Sequence, residues 1–281
     1  MINRASWFVG LVISLLLIEG SVQAQVVTFK KRSAVVAKHT RETLKKMVPE
    51  ESIGVFEPHT DEQRMYRGMN FSKLLAKVYG PAWEQFEEIL FTCQDGYQPS
   101  VPVAKVKNNQ AYLVFERLGG KFIIDNKSQN RTNVALAPYY LVWENIKNHG
   151  IRADGVADWP YQVIAIDLIQ FVDKFPNIAP PPKSGAVATA GFLAFRKHCI
   201  RCHTVNGEGG SMGVELNYPV SVTEYWKEEW LTKWIVDPAS LRHKSTMPGL
   251  KQADIAPEKT STEIITYLKS MTKKKIAPKK D

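Results

Sequence analysis

Cys199-Ile200-Arg201-Cys202-His203 sets two thiols three residues apart, with an imidazole directly after the second. In this C-x-x-C-H arrangement the thiols can add to the two vinyl groups of a haem, and the next residue then presents a ring nitrogen to the iron. A redox dithiol and half of a zinc site use the same cysteine spacing. The only other cysteine is Cys93, so zinc lacks a second pair, and no βαβ pattern precedes the motif as a redox dithiol would require. One covalent haem c is therefore expected on Cys199 and Cys202, with His203 as an iron ligand.

A second axial ligand must come from elsewhere in the chain. Met212 lies nine residues after His203, beyond the Gly-rich segment 207–210, which is too close to cross from one haem face to the other. Met271 falls in a helical pattern where a packing role is expected, and Met69 lies in the other half of the chain. Met247 follows His203 by 44 residues, enough to wrap a helix around a haem edge, and Pro248-Gly249 can turn its thioether inward. Met247 is thus the expected ligand, and His39, His59, His149, His198 and His243 are its competitors. Iron held by His203 and Met247 has no open position, so single-electron transfer is its natural chemistry.

The elements around these residues divide at Phe175–Gly185, where Pro180, Pro181 and Pro182 remove backbone donors and favour an extended spacer. Before it, from about residue 26 to 175, the pattern is α+β. Asn70–Val78 reads as an amphipathic helix, and Glu88–Thr92, Ala111–Phe115, Lys121–Ile124 and Tyr161–Phe171 read as strands. After it the pattern is helical: Gly185–His198, Glu224–Val236 with Trp226, Trp230 and Trp234 on one broad face, and Thr262–Met271. Three short helices bury little by themselves, and a large apolar cofactor would supply the missing core.

About 98 residues of the C-terminal part resemble the class I cytochrome c family. The resemblance is carried by Gly191-Phe192-Leu193-Ala194-Phe195 before the haem motif, the Gly-rich loop after it, Trp230-Leu231 with Trp234-Ile235, Met247-Pro248, and the closing Tyr267-Leu268 segment. It implies an all-α fold for residues 184–281, with Gly191 and Phe195 packing against Tyr267 and Leu268. Residues from about 51 to 145 resemble the sulfite-oxidase-type molybdopterin-binding fold through Tyr66-Arg67-Gly68-Met69-Asn70-Phe71, Asp95-Gly96-Tyr97, Leu118-Gly119-Gly120 and Ala137-Pro138-Tyr139-Tyr140-Leu141-Val142-Trp143. In active members a Cys thiolate binds molybdenum upstream of the segment matching Tyr66-Arg67-Gly68. Here no Cys precedes Cys93, so the resemblance implies the fold without molybdopterin.

The expected architecture is therefore multidomain: an export signal at 1–24, an α+β domain at 26–175 of the sulfite-oxidase type, a Pro-rich linker at 176–183 and an all-α cytochrome c domain at 184–281. The signal is read from Arg4, the apolar stretch Trp7–Ile18 and the small-residue site Val22-Gln23-Ala24, with cleavage after Ala24; an uncleaved anchor is the alternative. That places the protein in the periplasm. The chain carries a formal charge of +9, and residues 184–281 hold 15 Lys or Arg against 10 Asp or Glu, with Lys273, Lys274, Lys275, Lys279 and Lys280 near the end. Such a surface favours an acidic redox partner, including one within a membrane-bound respiratory complex, and no nucleic-acid motif accompanies it. The expected function is that of a mono-haem electron carrier whose N-terminal domain serves for docking. The alternative is an oxidoreductase, similar to sulfite dehydrogenases, that uses molybdopterin and passes electrons to its own haem.

Overall fold

The computed structural model describes residues 25–156, 158–253 and 255–278. The expected export signal and the last two lysines lie outside the described residues. The chain opens with a hairpin, β1 (Val26–Lys31) and β2 (Ala34–Thr40), and a second hairpin follows, β3 (Glu50–Glu57) and β4 (Glu62–Asn70). The Asn70 side chain accepts from the Lys73 N–H at 3.0 Å and so starts α1 (Phe71–Tyr79), which buries Phe71, Leu74 and Leu75 along one stripe. Then come β5 (Glu88–Cys93), β6 (Ser100–Pro102), β7 (Ala111–Arg117), β8 (Ile123–Asn126), β9 (Arg131–Ala135), β10 (Tyr140–Trp143) and β11 (Val163–Ile169).

These strands make two main sheets, in the orders β2-β1-β11-β5-β6 and β10-β7-β4-β3, with β8 and β9 as a separate hairpin. β11 pairs parallel with β1 and antiparallel with β5, so the last strand is inserted beside the first. Its position explains its composition: Val-Ile-Ala-Ile-Asp-Leu-Ile is apolar almost throughout because both faces are covered, whereas the edge strand β2 is largely exposed.

Beyond the sheets lie α2 (Ala186–His198), the short hairpin β12 (Thr204–Val205) with β13 (Glu208–Gly209), α3 (Glu228–Val236) and α4 (Pro257–Met271). The rings of Phe192 and Phe195 on α2 lie 5.5 and 5.2 Å from that of Tyr267 on α4. At this crossing a methyl group on Gly191 would stand 1.8 Å from the Glu263 carbonyl oxygen, so only glycine permits the approach. The helix expected from Glu224 is broken instead. A capping box of Ser221 and Glu224 starts a short helix at Val222–Tyr225, extended backbone at Trp226 ends it, and α3 begins anew at Glu228. Trp226 and Trp234 stack at 5.8 Å while Trp230 is exposed, so the three indoles do not share one buried face.

The expected multidomain fold, a sulfite-oxidase-type α+β domain followed by an all-α cytochrome c fold, is corrected by this arrangement. The chain forms one mixed α/β, sheet-rich body in which the last helix has only 15 residues and the region before α3 contains a hairpin. Its second hydrophobic cluster joins Leu90 of β5, Ile169 of β11, Phe171 and Phe175 to Phe195, Ile264, Tyr267 and Leu268 of the helices. The physical reason is the shortage of core foreseen above: the helices are too short to bury one another, and the flank of the sheet supplies the apolar surface they lack. The Pro-rich stretch is packed as well. Ile178 is fully buried, its carbonyl accepts from the Tyr267 hydroxyl at 2.7 Å, and the Asn177 N–H is bound by Glu208 at 2.9 Å. Among the described residues no helix is long and apolar enough to cross a membrane.

Alanine in place of glycine inside a helix normally stabilises by up to about 1 kcal/mol. At Gly191 the new methyl meets a backbone carbonyl, and overpacking of about 1–3 kcal/mol or more outweighs that gain. Gly191→Ala is thus expected to lower the urea midpoint, and a midpoint at or above that of the parent chain would contradict the close crossing of α2 and α4.

Candidate functional site

α2 delivers the C-x-x-C-H segment at its C-terminal end. The Cys199 N–H still bonds the Phe195 carbonyl at 2.8 Å, and the Cys202 and His203 N–H groups both turn back to the Cys199 carbonyl, at 3.0 and 2.9 Å. This tight turn sets the two thiols and the imidazole on one loop of five residues. The hairpin β12–β13 then reverses the chain over the motif, where Gly210 donates to the Ile200 carbonyl at 2.7 Å and Gly213 to the Cys202 carbonyl at 2.6 Å. Gly213 is required by contact: a methyl group there would stand 2.5 Å from Cε1 of the His203 ring.

His203 is oriented by its own backbone neighbourhood. Nδ1 lies 2.9 Å from the Val214 carbonyl oxygen, which can only accept, so Nδ1 carries the proton and Nε2 keeps its lone pair. Burial lowers the pKa of the ring, which favours the neutral form that binds a metal. Both cysteines are free. Burial pushes the Cys199 thiol up to about 12, with the neighbouring Cys202 adding to the effect and Arg201 opposing it. Burial likewise pushes Cys202 up to about 11 against the pull of Arg201. Redox-active dithiols hold a thiolate by a lowered pKa, and this pair has the opposite electrostatics.

The sheet body touches this loop directly. The Gln98 N–H donates to the Arg201 carbonyl at 2.7 Å, and the Ser211 N–H donates to the Gly96 carbonyl at 3.0 Å. The Asp95–Gln98 turn after β5 is therefore hydrogen-bonded to both the motif and the strand-like return that covers it. Met212 has its sulfur 3.9 Å from Cys202 Sγ. Met271 and Met69 are fully buried, one in each hydrophobic cluster, and Met247 is half-buried in the loop after the short helix Pro238–Leu241. Of the competing histidines, His39 packs on Phe29 at 5.8 Å, His59 is bonded to Glu57, and His243 is exposed in the Met247 loop. His149 opens the helix His149–Ala153, and His198 closes α2. Among the described residues no cluster of three or more His, Cys, Asp or Glu side chains is gathered as a metal site. A haem brings four nitrogens of its own and needs no such cluster.

Compared with known proteins, the chain matches no protein-family model and no curated sequence.

Cys93 is buried on β5, and burial raises its thiol well above the ordinary value. A second constellation escaped the sequence reading, in which His59 stood only as a competing iron ligand. Glu57 is fully buried, and its carboxylate accepts from Tyr66 Oη at 2.6 Å and from Tyr140 Oη at 2.9 Å, with His59 Nδ1 at 2.7 Å. Burial alone would raise the Glu57 pKa, but the hydrogen bond and charge of His59 with the two tyrosine hydroxyls hold it below its ordinary value. The signal was not local: Glu57, Tyr66 and Tyr140 are brought together only by the β10-β7-β4-β3 sheet.

A carboxylate with a depressed folded pKa adds stability above its unfolded value, and that contribution is lost as pH falls through the folded value. Glu57→Gln should cost about 1–3 kcal/mol at neutral pH, the range for an impaired buried hydrogen bond. Its difference from the parent chain should shrink on acidification, as followed by urea unfolding at several pH values. A difference that is constant with pH would mean that Glu57 is not charged in the folded protein.

Proposed function

We propose that this protein is a periplasmic mono-haem c-type electron carrier, with haem covalently attached through Cys199 and Cys202. The observation that carries this reading is the His203 ring: its Nδ1–H is committed to the Val214 carbonyl at 2.9 Å, which leaves Nε2 as a metal ligand directly after two protonated, unpaired thiols. Beside that ring the Val214 side chain stands 65% exposed, an apolar surface that a porphyrin would cover. Haem, when bound, supplies one-electron exchange at its iron. The chain's residues would do the rest: Cys199 and Cys202 would anchor the haem, His203 would bind its iron through Nε2, and the Val214 carbonyl fixes the ring's tautomer. Met247 would supply a second iron ligand. Its support comes from elimination, since Met69 and Met271 are sealed in the hydrophobic clusters and Met212 lies against Cys202. Cys93, the only other cysteine, is buried on β5 and plays no part in this reading. The reading is therefore that of a carrier rather than a self-sufficient oxidoreductase.

Protein purified from an exporting host is expected to keep its haem absorbance after denaturation and acid-acetone extraction, and Cys199→Ser with Cys202→Ser should release it. Haem that extracts freely from the parent chain refutes the attachment.

The partner is proposed to present an acidic face. Arg242 and Lys244 are exposed in the Met247 loop and have no carboxylate partner among the described residues, in a segment with a net positive charge. Electron-transfer rates with the partner should fall as the Debye length shrinks from about 30 Å to about 8 Å between about 0.01 and 0.15 M salt. Rates indifferent to salt would rule out electrostatic docking.

A further inference from the structure

We infer that Asn130 and Arg131 are positioning residues for the Met247 loop, so that the sheet body would set how firmly the Met247 thioether binds a haem iron. This inference rests on the haem reading above and extends it. The turn between β8 and β9 places Asn130 in the left-handed region, with φ of 50°, which asparagine tolerates better than most residues. From there its Nδ2 donates to the Ser245 carbonyl at 2.7 Å. Ser245 is the one buried residue between Leu241 and Pro248, and its hydroxyl oxygen accepts the Met247 N–H at 3.3 Å. One side-chain amide and one buried serine thus connect the β8–β9 hairpin to the backbone of Met247. Nothing else buried secures this stretch: Leu241, Arg242, His243 and Lys244 are all exposed.

Arg131 ties this contact to the other side of the site. Its guanidinium lies 3.5 Å from the Asp95 carboxylate, which also accepts the Tyr97 N–H at 3.1 Å. Asp95 opens the turn whose Gln98 N–H holds the Arg201 carbonyl inside the haem motif. The sheet body therefore grips the segment bearing His203 with one turn and the segment bearing Met247 with another, and an ion pair joins the two turns. A thioether is a neutral donor that an added ligand such as imidazole can displace. Its hold on iron then depends on how well the loop is kept in place.

The test uses the full-length, haem-loaded protein and reads the dissociation constant of imidazole for the oxidised haem by absorbance titration. Asn130→Asp keeps a residue suited to the left-handed turn but removes the donor, and Asn130→Gly keeps the turn while removing the side chain. Both should bind imidazole about three- to tenfold more tightly than the parent, the range of one hydrogen bond. Arg131→Gln should show a smaller gain, about twofold, as expected for a partly exposed ion pair. Covalent haem content and thermal midpoint, measured alongside, should stay near those of the parent, which separates loosening of the loop from global unfolding. Met247→Ala is the reference and should bind imidazole most tightly. Parent-like affinity in both Asn130 variants, beside raised affinity in Met247→Ala, overturns the positioning role alone. Parent-like affinity in Met247→Ala as well removes Met247 as the ligand and the inference with it.

Discussion

Leu90, Ile169, Phe171 and Phe175 belong by sequence to the sheet-rich part of the chain, yet their side chains are buried with the helices that follow. The C-terminal architecture depends on this shared apolar contact. α2 and α4 cross on one another at Gly191, but two short helices have only one buried seam between them. Fully burying one large aliphatic or aromatic side chain contributes about 1.5–3 kcal/mol. Four such residues from the sheet flank therefore weigh as much as a typical small domain's whole net stability.

Polar contacts fix the orientation of that apolar packing. Arg196 on α2 reaches Glu87 at 2.8 Å, also pairs with Glu88, and lays its guanidinium 3.5 Å from the ring centre of Phe171. The ion pair with Glu87 is partly exposed and contributes little energy. The combination of planar stacking and two carboxylates nevertheless allows few alternative settings of α2 against β5. Since α2 runs into the C-x-x-C-H segment, this anchoring fixes where Cys199 starts. The Asp95–Gln98 turn then holds the motif from its other side, so the loop that bears two thiols and an imidazole is fastened at both ends to one rigid platform.

Local features of this design were legible in the residues alone. The strands Glu88–Cys93, Ala111–Arg117 and Val163–Ile169 and the helices α1, α2 and α4 follow from short-range periodicity, because each buries one stripe or a continuous apolar run. The C-x-x-C-H pentapeptide is local in the same sense, since its residues stand within one turn of chain. What the sequence hid was long-range. Nothing in Leu90 or Phe171 distinguishes a residue that faces its own sheet from one that faces the helices that follow later in the chain. The break at Trp226 was missed because the apolar spacing of Trp226, Trp230 and Trp234 continues through it, while the capping box that starts the short helix and the extended backbone at Trp226 that ends it act within one turn. The buried Glu57 cluster depends on register between β3, β4 and β10, and register leaves no trace in a single strand.

The insertion of β11 beside β1 has a bearing on the order in which the molecule assembles. Thr28 pairs with Ala165 and Lys31 with Leu168, contacts that close a loop of more than 130 residues. A chain that emerges from its N-terminus cannot complete the larger sheet until residue 169 is free, and pairings this distant form slowly. Phe171, Phe175 and α2 follow at once. The surface on which the motif-bearing helix must settle thus comes into being immediately before that helix is available to use it. Placement of the loop that bears Cys199 and Cys202 is accordingly timed by closure of the sheet.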